Sequence, residues 1–144
     1  MKIYLDFDGT VVEHYFPEIG TENPHAIKVI ARLQAAGHEI VLNTYRADID
    51  VQHVHEALEF IHSFEEIQQP IEKFLPQKLD PRSFDMELAK ESNQLYIDDI
   101  ASGIPMRRNI DLEHGMMVDW LELEKKLEEV GILESTESNN NKNI

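Results

Sequence analysis

An α/β fold with a mostly parallel sheet is predicted by three features of the sequence. Short apolar strands alternate with segments of helical spacing. Helix-starting and helix-stopping residues stand where that spacing begins and ends. Acidic residues follow directly on two of the apolar runs, in the place where open parallel sheets bind ligands.

The elements follow in order. Lys2 to Phe7 is β-prone, with Ile3, Tyr4 and Leu5 running unbroken to Asp6, so it reads as a first strand. Asn23-Pro24 has the form of a helix start, with asparagine as cap and proline in the first turn. Ala26, Ile30 and Leu33 share one helical face, and Gly37 ends the helix. His38 to Thr44 is a second strand, and Asp48 opens a second helix with Val51, Val54, Leu58 and Ile61 on one side. Residues 64–93 suggest a short strand, a loop and a turn of helix. Gln94 to Ile97 is a short buried strand that runs into Asp98-Asp99, and Met116 to Val118 is a further candidate. Asp119 then caps a last helix, with Glu122 three residues on in capping-box spacing. Its apolar face is Trp120, Leu123, Leu127 and Val130, and Gly131 stops it. The reading is one domain over residues 1–133. The polar, low-complexity segment 134–144 is expected to be a disordered tail.

Composition narrows the function classes. The chain has 144 residues, no cysteine and a formal net charge of −15. Disulfide and thiolate chemistry are therefore absent, and a reducing compartment fits. Acidic residues arrive by position six, which excludes a signal peptide, and no segment approaches the ~20 apolar residues of a membrane span. A soluble, cytoplasmic protein is expected, with no membrane partner. So acidic a surface repels phosphate backbones and disfavours nucleic acid as a partner. The acidity serves solubility, or part of it is a cluster of carboxylates that awaits a cation.

The strand ends favour the cation. If the strands are neighbours, Asp6 and Asp8 at the end of the first, Thr44 at the end of the second, and Asp98 and Asp99 at the end of a later one share a small volume. Four such charges repel unless something neutralises them. Oxygen ligands without sulfur or nitrogen suit a hard cation, of which Mg²⁺ is the usual one.

The sequence resembles the haloacid dehalogenase-like superfamily of phosphohydrolases. The resemblance rests on LDFDGT at 5–10, LNT at 42–44, a lysine ahead of the last motif and YIDD at 96–99, in that order. It covers roughly residues 1–120 and is strongest to short members without a cap domain, whose first motif is followed by a stretch like VEHYFPEIG at 12–20.

The resemblance implies a three-layer Rossmann-like fold and a Mg²⁺-dependent phosphatase. Asp6 would be the nucleophile that becomes an aspartyl-phosphate. Asp8 would be the acid, then the base, and its presence disfavours dehalogenation. Asp6, Asp8 (through its carbonyl), Asp98 and Asp99 would hold Mg²⁺. Gly9, Asn43 and Thr44 would contact phosphate. The lysine that neutralises the phosphoenzyme has three candidates, Lys73, Lys78 and Lys90, of which Lys90, eight residues before Asp98, is preferred. Between motifs there is room for a flap but not for a folded cap, so the site is expected to be open. The substrate is then a large phosphorylated polymer, or a small phosphoester covered by a neighbouring subunit in a homo-oligomer. Glu13, His14, Tyr15 and Arg46 are the expected substrate-facing residues.

Three rival functions use similar residues. A receiver-type signalling domain accepts one phosphoryl group without multiple turnover, but there the acidic pair comes first in the chain. A nuclease built on clustered acids needs a basic groove, and a basic pair such as Arg107-Arg108 does not make one. A phosphate-binding domain without catalysis is the third.

Overall fold

The structure is a computed structural model that describes residues 1–77, 83–108 and 115–135. In chain order its elements are β1 (Lys2–Leu5), α1 (Ala26–Ala35), β2 (Glu39–Thr44), α2 (Arg46–Ile49), α3 (Val51–His62), β3 (Lys73–Pro76), α4 (Met86–Ser92), β4 (Gln94–Ile97), β5 (Met106–Arg108), β6 (Met116–Val118) and α5 (Trp120–Glu129). Four strands form one sheet in the order β3-β2-β1-β4, and every pair in it is parallel. Helices flank the sheet in a Rossmann-like α/β arrangement, as predicted. No helix among the described residues is long and apolar enough to cross a membrane.

The register of the central strand matters most. Leu5 of β1 lies opposite Leu42 of β2 and opposite Ile97 of β4. The residues one step further on, Asp6, Asn43 and Asp98, therefore line up at the carboxyl edge of three adjacent strands. The Asp6 amide still donates to the Ile97 carbonyl at 2.9 Å, so β1 and β4 stay together to the first aspartate.

Alternation along the strands sends Ile3, Leu5, Ile40, Leu42, Leu95 and Ile97 into one buried cluster. Ile27, Ile30 and Leu33 of α1, Val54, Ala57 and Ile61 of α3, and Trp120, Leu123 and Leu127 of α5 belong to the same core. On the other face Tyr4 stacks on Tyr96, their centroids 4.6 Å apart and their planes 14° apart. At the surface Arg32 of α1 bonds Glu124 and Glu128 of α5 at 2.8 and 3.3 Å, which joins the two helices.

Several elements differ from the sequence reading, each for a local reason. Asn23 is not the cap of α1. His25 takes that position with φ +73° and no side-chain bond. Asn23 is instead fully buried, and its Nδ2 donates to the carbonyls of Thr10 (2.8 Å) and Val118 (2.7 Å). The helix expected to open at Asp48 is two helices. Asp50, extended and accepting from Gln52 N at 2.9 Å, separates the short α2 from α3 and caps α3. Strand β5 was not predicted. It pairs antiparallel with β6 as a separate two-stranded ribbon, Arg107 opposite Met117. Asp119 does cap α5, accepting from Glu122 N at 3.2 Å, and Gly131 follows that helix with φ +80°. Of the expected tail, residues 136–144 lie outside the described residues.

Between β1 and α1 the chain forms a flap. Val12 bridges Glu22, and Glu13 N donates to Thr21 O at 2.8 Å. Gly20 crosses so close to the Glu13 carbonyl that no Cβ fits there.

Asn23 ties the loop after β1 to the end of β6 through two buried bonds. Asn23→Ala removes both and leaves the Thr10 carbonyl with Trp120 alone, so it is expected to lower the unfolding free energy by about 2 kcal/mol. Urea denaturation measures this, and a loss below about 0.5 kcal/mol would contradict the role assigned to the side chain.

Candidate active site

The site begins with the turn that follows β1. Gly9 has φ +81°, and a Cβ built there would overlap the Asp99 carboxylate. Glycine is thus required twice, by the backbone conformation and by the close approach of the Asp98-Asp99 loop. Thr10 is fully buried and acts as a hub. Its hydroxyl donates to Asp6 Oδ2 at 2.8 Å and accepts from Asp99 N at 3.1 Å. Its carbonyl accepts from Asn23 Nδ2 and, at 2.7 Å, from Trp120 Nε1. Two core residues thereby set the orientation of Asp6.

Asp6, Asp98 and Asp99 each place a carboxylate oxygen within 4.8 Å of the others. Asp6 and Asp98 are buried and Asp99 is partly exposed. Burial pushes the Asp6 carboxyl well above its ordinary range, and the nearby Asp98 and Asp99 charges push it further. Burial likewise raises Asp99, to about 6, while its hydrogen bond with Asp6 and the charge of His14 pull the other way. Without a counter-charge, burial favours the protonated forms of Asp6 and Asp99. Three oxygen donors with this spacing could hold a hard divalent ion.

Asp98 is held from two further sides. Its Oδ1 accepts from Ile100 N at 3.0 Å, and its Oδ2 accepts from Gln77 Nε2. Gln77 follows β3 and its own amide donates to Thr44 O at 3.1 Å, so the end of β3 is tied to the site. The sequence reading missed Gln77, because a lone glutamine after a short strand belongs to no motif. Only the strand order β3-β2-β1-β4 reveals it.

The other expected site residues fall into two groups. Asn43 and Thr44 are buried at the end of β2, beside Asp6, and the Thr44 hydroxyl accepts from Arg46 N at 3.1 Å. His14 and Tyr15 are exposed on the flap. Glu13 and Arg46, expected to face substrate, are buried instead. Arg46 has no exposure, and its guanidinium forms a fork with Asp8, Nε to Oδ2 at 2.8 Å and Nη2 to Oδ1 at 2.9 Å. The Asp8 carboxylate is consequently outside the group formed by Asp6, Asp98 and Asp99.

Lys90 is not brought to the site. It is exposed in the last turn of α4, which leads into the start of β4, the opposite end of the sheet from Asp98. Lys73 is at the start of β3, exposed, and paired with Glu39 at 3.0 Å. Lys78 lies outside the described residues.

Comparison with known proteins adds one solved structure. A conserved protein from Bacteroides thetaiotaomicron is similar to this chain at 28% identity over 90% of each chain, with a TM-score of 0.53. No family model and no curated protein matches the sequence.

The raised Asp99 sets a pH dependence with a definite sign. A carboxyl whose folded pKa exceeds its unfolded value near 3.8 favours the fold while protonated. That contribution is complete below about pH 4 and is lost as pH rises through about 6. In chelator, wild type is therefore expected to lose on the order of 2 kcal/mol more stability than Asp99→Asn between pH 4.5 and 7. A divalent cation added at pH 7 should recover the difference. Equal pH slopes for the two proteins in denaturant titrations would overturn this.

Proposed function

We propose that the chain is a Mg²⁺-dependent phosphohydrolase of the haloacid dehalogenase-like superfamily, cleaving phosphomonoesters through an aspartyl-phosphate on Asp6. One observation carries the reading. Asp6, Asp98 and Asp99 converge within 4.8 Å at the carboxyl ends of two adjacent parallel strands, while Asp8 is held apart from them.

The roles follow from the bonds around each residue. Thr10 holds Oδ2 of Asp6 and so orients the carboxylate, whose other oxygen is the one assigned to attack phosphorus. That oxygen forms the new P–O bond as the ester P–O bond breaks. Asp8 gives a proton to the departing oxygen and then takes one from the water that hydrolyses the phosphoenzyme. Asn43 and Thr44, buried at the end of β2, hold the transferring phosphoryl oxygens. His14 and Tyr15 on the flap meet the rest of the substrate. Lys78, next to Gln77 in the chain, is the remaining lysine that can neutralise the phosphoenzyme. A bound Mg²⁺ would supply charge neutralisation for the acids and the phosphoryl group. A cytoplasmic setting suits a chain without cysteine.

The pairing of Asp8 with Arg46 favours a second reading, in which Asp6 accepts a phosphoryl group without turnover. Phosphate release from p-nitrophenyl phosphate decides between them. Multiple turnovers with Mg²⁺, abolished by chelator and reduced by about three orders of magnitude or more in Asp6→Asn, are expected. A single equivalent of p-nitrophenol per chain, with the phosphoryl group kept on the protein, would favour the second reading. Undiminished activity in Asp6→Asn would remove both.

A further inference from the structure

Arg46 is fully buried, and all five of its N–H donors are used. Nε and one Nη2 hydrogen hold the two oxygens of Asp8. The other Nη2 hydrogen goes to the Glu18 carbonyl at 2.8 Å, and Nη1 donates to the carbonyls of Pro17 (3.1 Å) and His53 (3.4 Å). The guanidinium carbon stands 5.1 Å from the ring centres of both Phe7 and Phe16. One side chain therefore joins the strand end that carries Asp8, the flap residues Phe16, Pro17 and Glu18, and α3.

We propose that Arg46 is a positioning residue that fixes the direction of the Asp8 carboxylate and docks the flap with the same guanidinium, so that the two are set together. The reading of Asp8 as the group that assists the leaving oxygen rests on the phosphohydrolase function proposed above. Three physical points support the assignment. A buried arginine is tolerated only when its charge is paired and its donors are used, and both conditions depend on Asp8 and the flap being in place. The fork keeps Asp8 out of the cluster of three acids and takes one acceptor position on each of its oxygens, which leaves the other for the leaving group. Lysine cannot substitute, because its ammonium has neither the planar fork nor enough donors for both tasks.

The test uses the full chain with Mg²⁺. Kinetics are compared for p-nitrophenyl phosphate, whose leaving group needs little help, and phenyl phosphate, whose leaving group needs more. Arg46→Lys is expected to lower kcat/KM, which ends at departure of the leaving group, about tenfold more for phenyl phosphate than for p-nitrophenyl phosphate. Asp8→Asn should show the same preference, and the double variant should lose nothing further. Equal losses on both esters would reduce Arg46 to a packing role and overturn the proposal.

A second measurement needs no activity and no change at Arg46. In Asp8→Asn, amide hydrogen exchange over residues 15–18 is expected to speed up about tenfold while α1 and α5 stay protected. Unchanged flap exchange in folded Asp8→Asn would also overturn the proposal. If wild type hydrolyses neither ester, the phosphohydrolase reading fails, and the exchange result alone then judges the link between Asp8 and the flap.

Discussion

The parallel register that buries Leu5 between Leu42 and Ile97 also brings Asp6 alongside Asp98, and most of the local structure answers that crowding. Neither strand can be shifted by one residue, since a shift would turn its apolar side chains out of the core. The like charges therefore have to be accommodated where they fall. Thr10 takes one oxygen of Asp6, Gln77 and Ile100 take both oxygens of Asp98, and Gly9 makes room for Asp99. Asn23 and Trp120, both buried and distant in sequence, then brace Thr10. The order of causes runs from core packing to register, from register to charge crowding, and from crowding to the bonds that organise the loop.

Much of this was legible in the sequence, and the parts that were not share a cause. Strands β1, β2 and β4 are short apolar runs with distinct ends, so their existence and the acids beyond them could be read directly. Asp119 and Gly131 mark α5 because capping and stopping depend on nearby backbone. Asn23 misled because a local pattern, Asn-Pro, was overridden by bonds to Thr10 and to Val118, the latter 95 residues away. Arg46 misled in the same manner. An arginine two residues past a strand end looks solvent-facing, yet Asp8, Pro17, Glu18 and His53 converge on it from three other segments. Strand β5 escaped because Met-Arg-Arg has no apolar alternation, and its pairing with β6 supplies what its own residues lack. Local signals were read well; partners far along the chain were not.

The two buried charged groups beside the strand ends illustrate opposite solutions. Asp8 and Arg46 are a matched pair, with geometry that satisfies both carboxylate oxygens and every guanidinium hydrogen. Asp6, Asp98 and Asp99 have no such fork among the described residues, and burial raises the carboxyls of Asp6 and Asp99. A fold that keeps the two groups apart can hold one rigidly while leaving the other responsive to whatever charge arrives.

Trp120 is the single tryptophan of the chain, fully buried, and its indole N–H ends on the Thr10 carbonyl. The Thr10 hydroxyl in turn ends on Asp6. The indole is thus one residue removed from the acids. The protein has a built-in optical probe: its indole fluorescence comes from one emitter, wired through a single threonine to the place where ligands would bind.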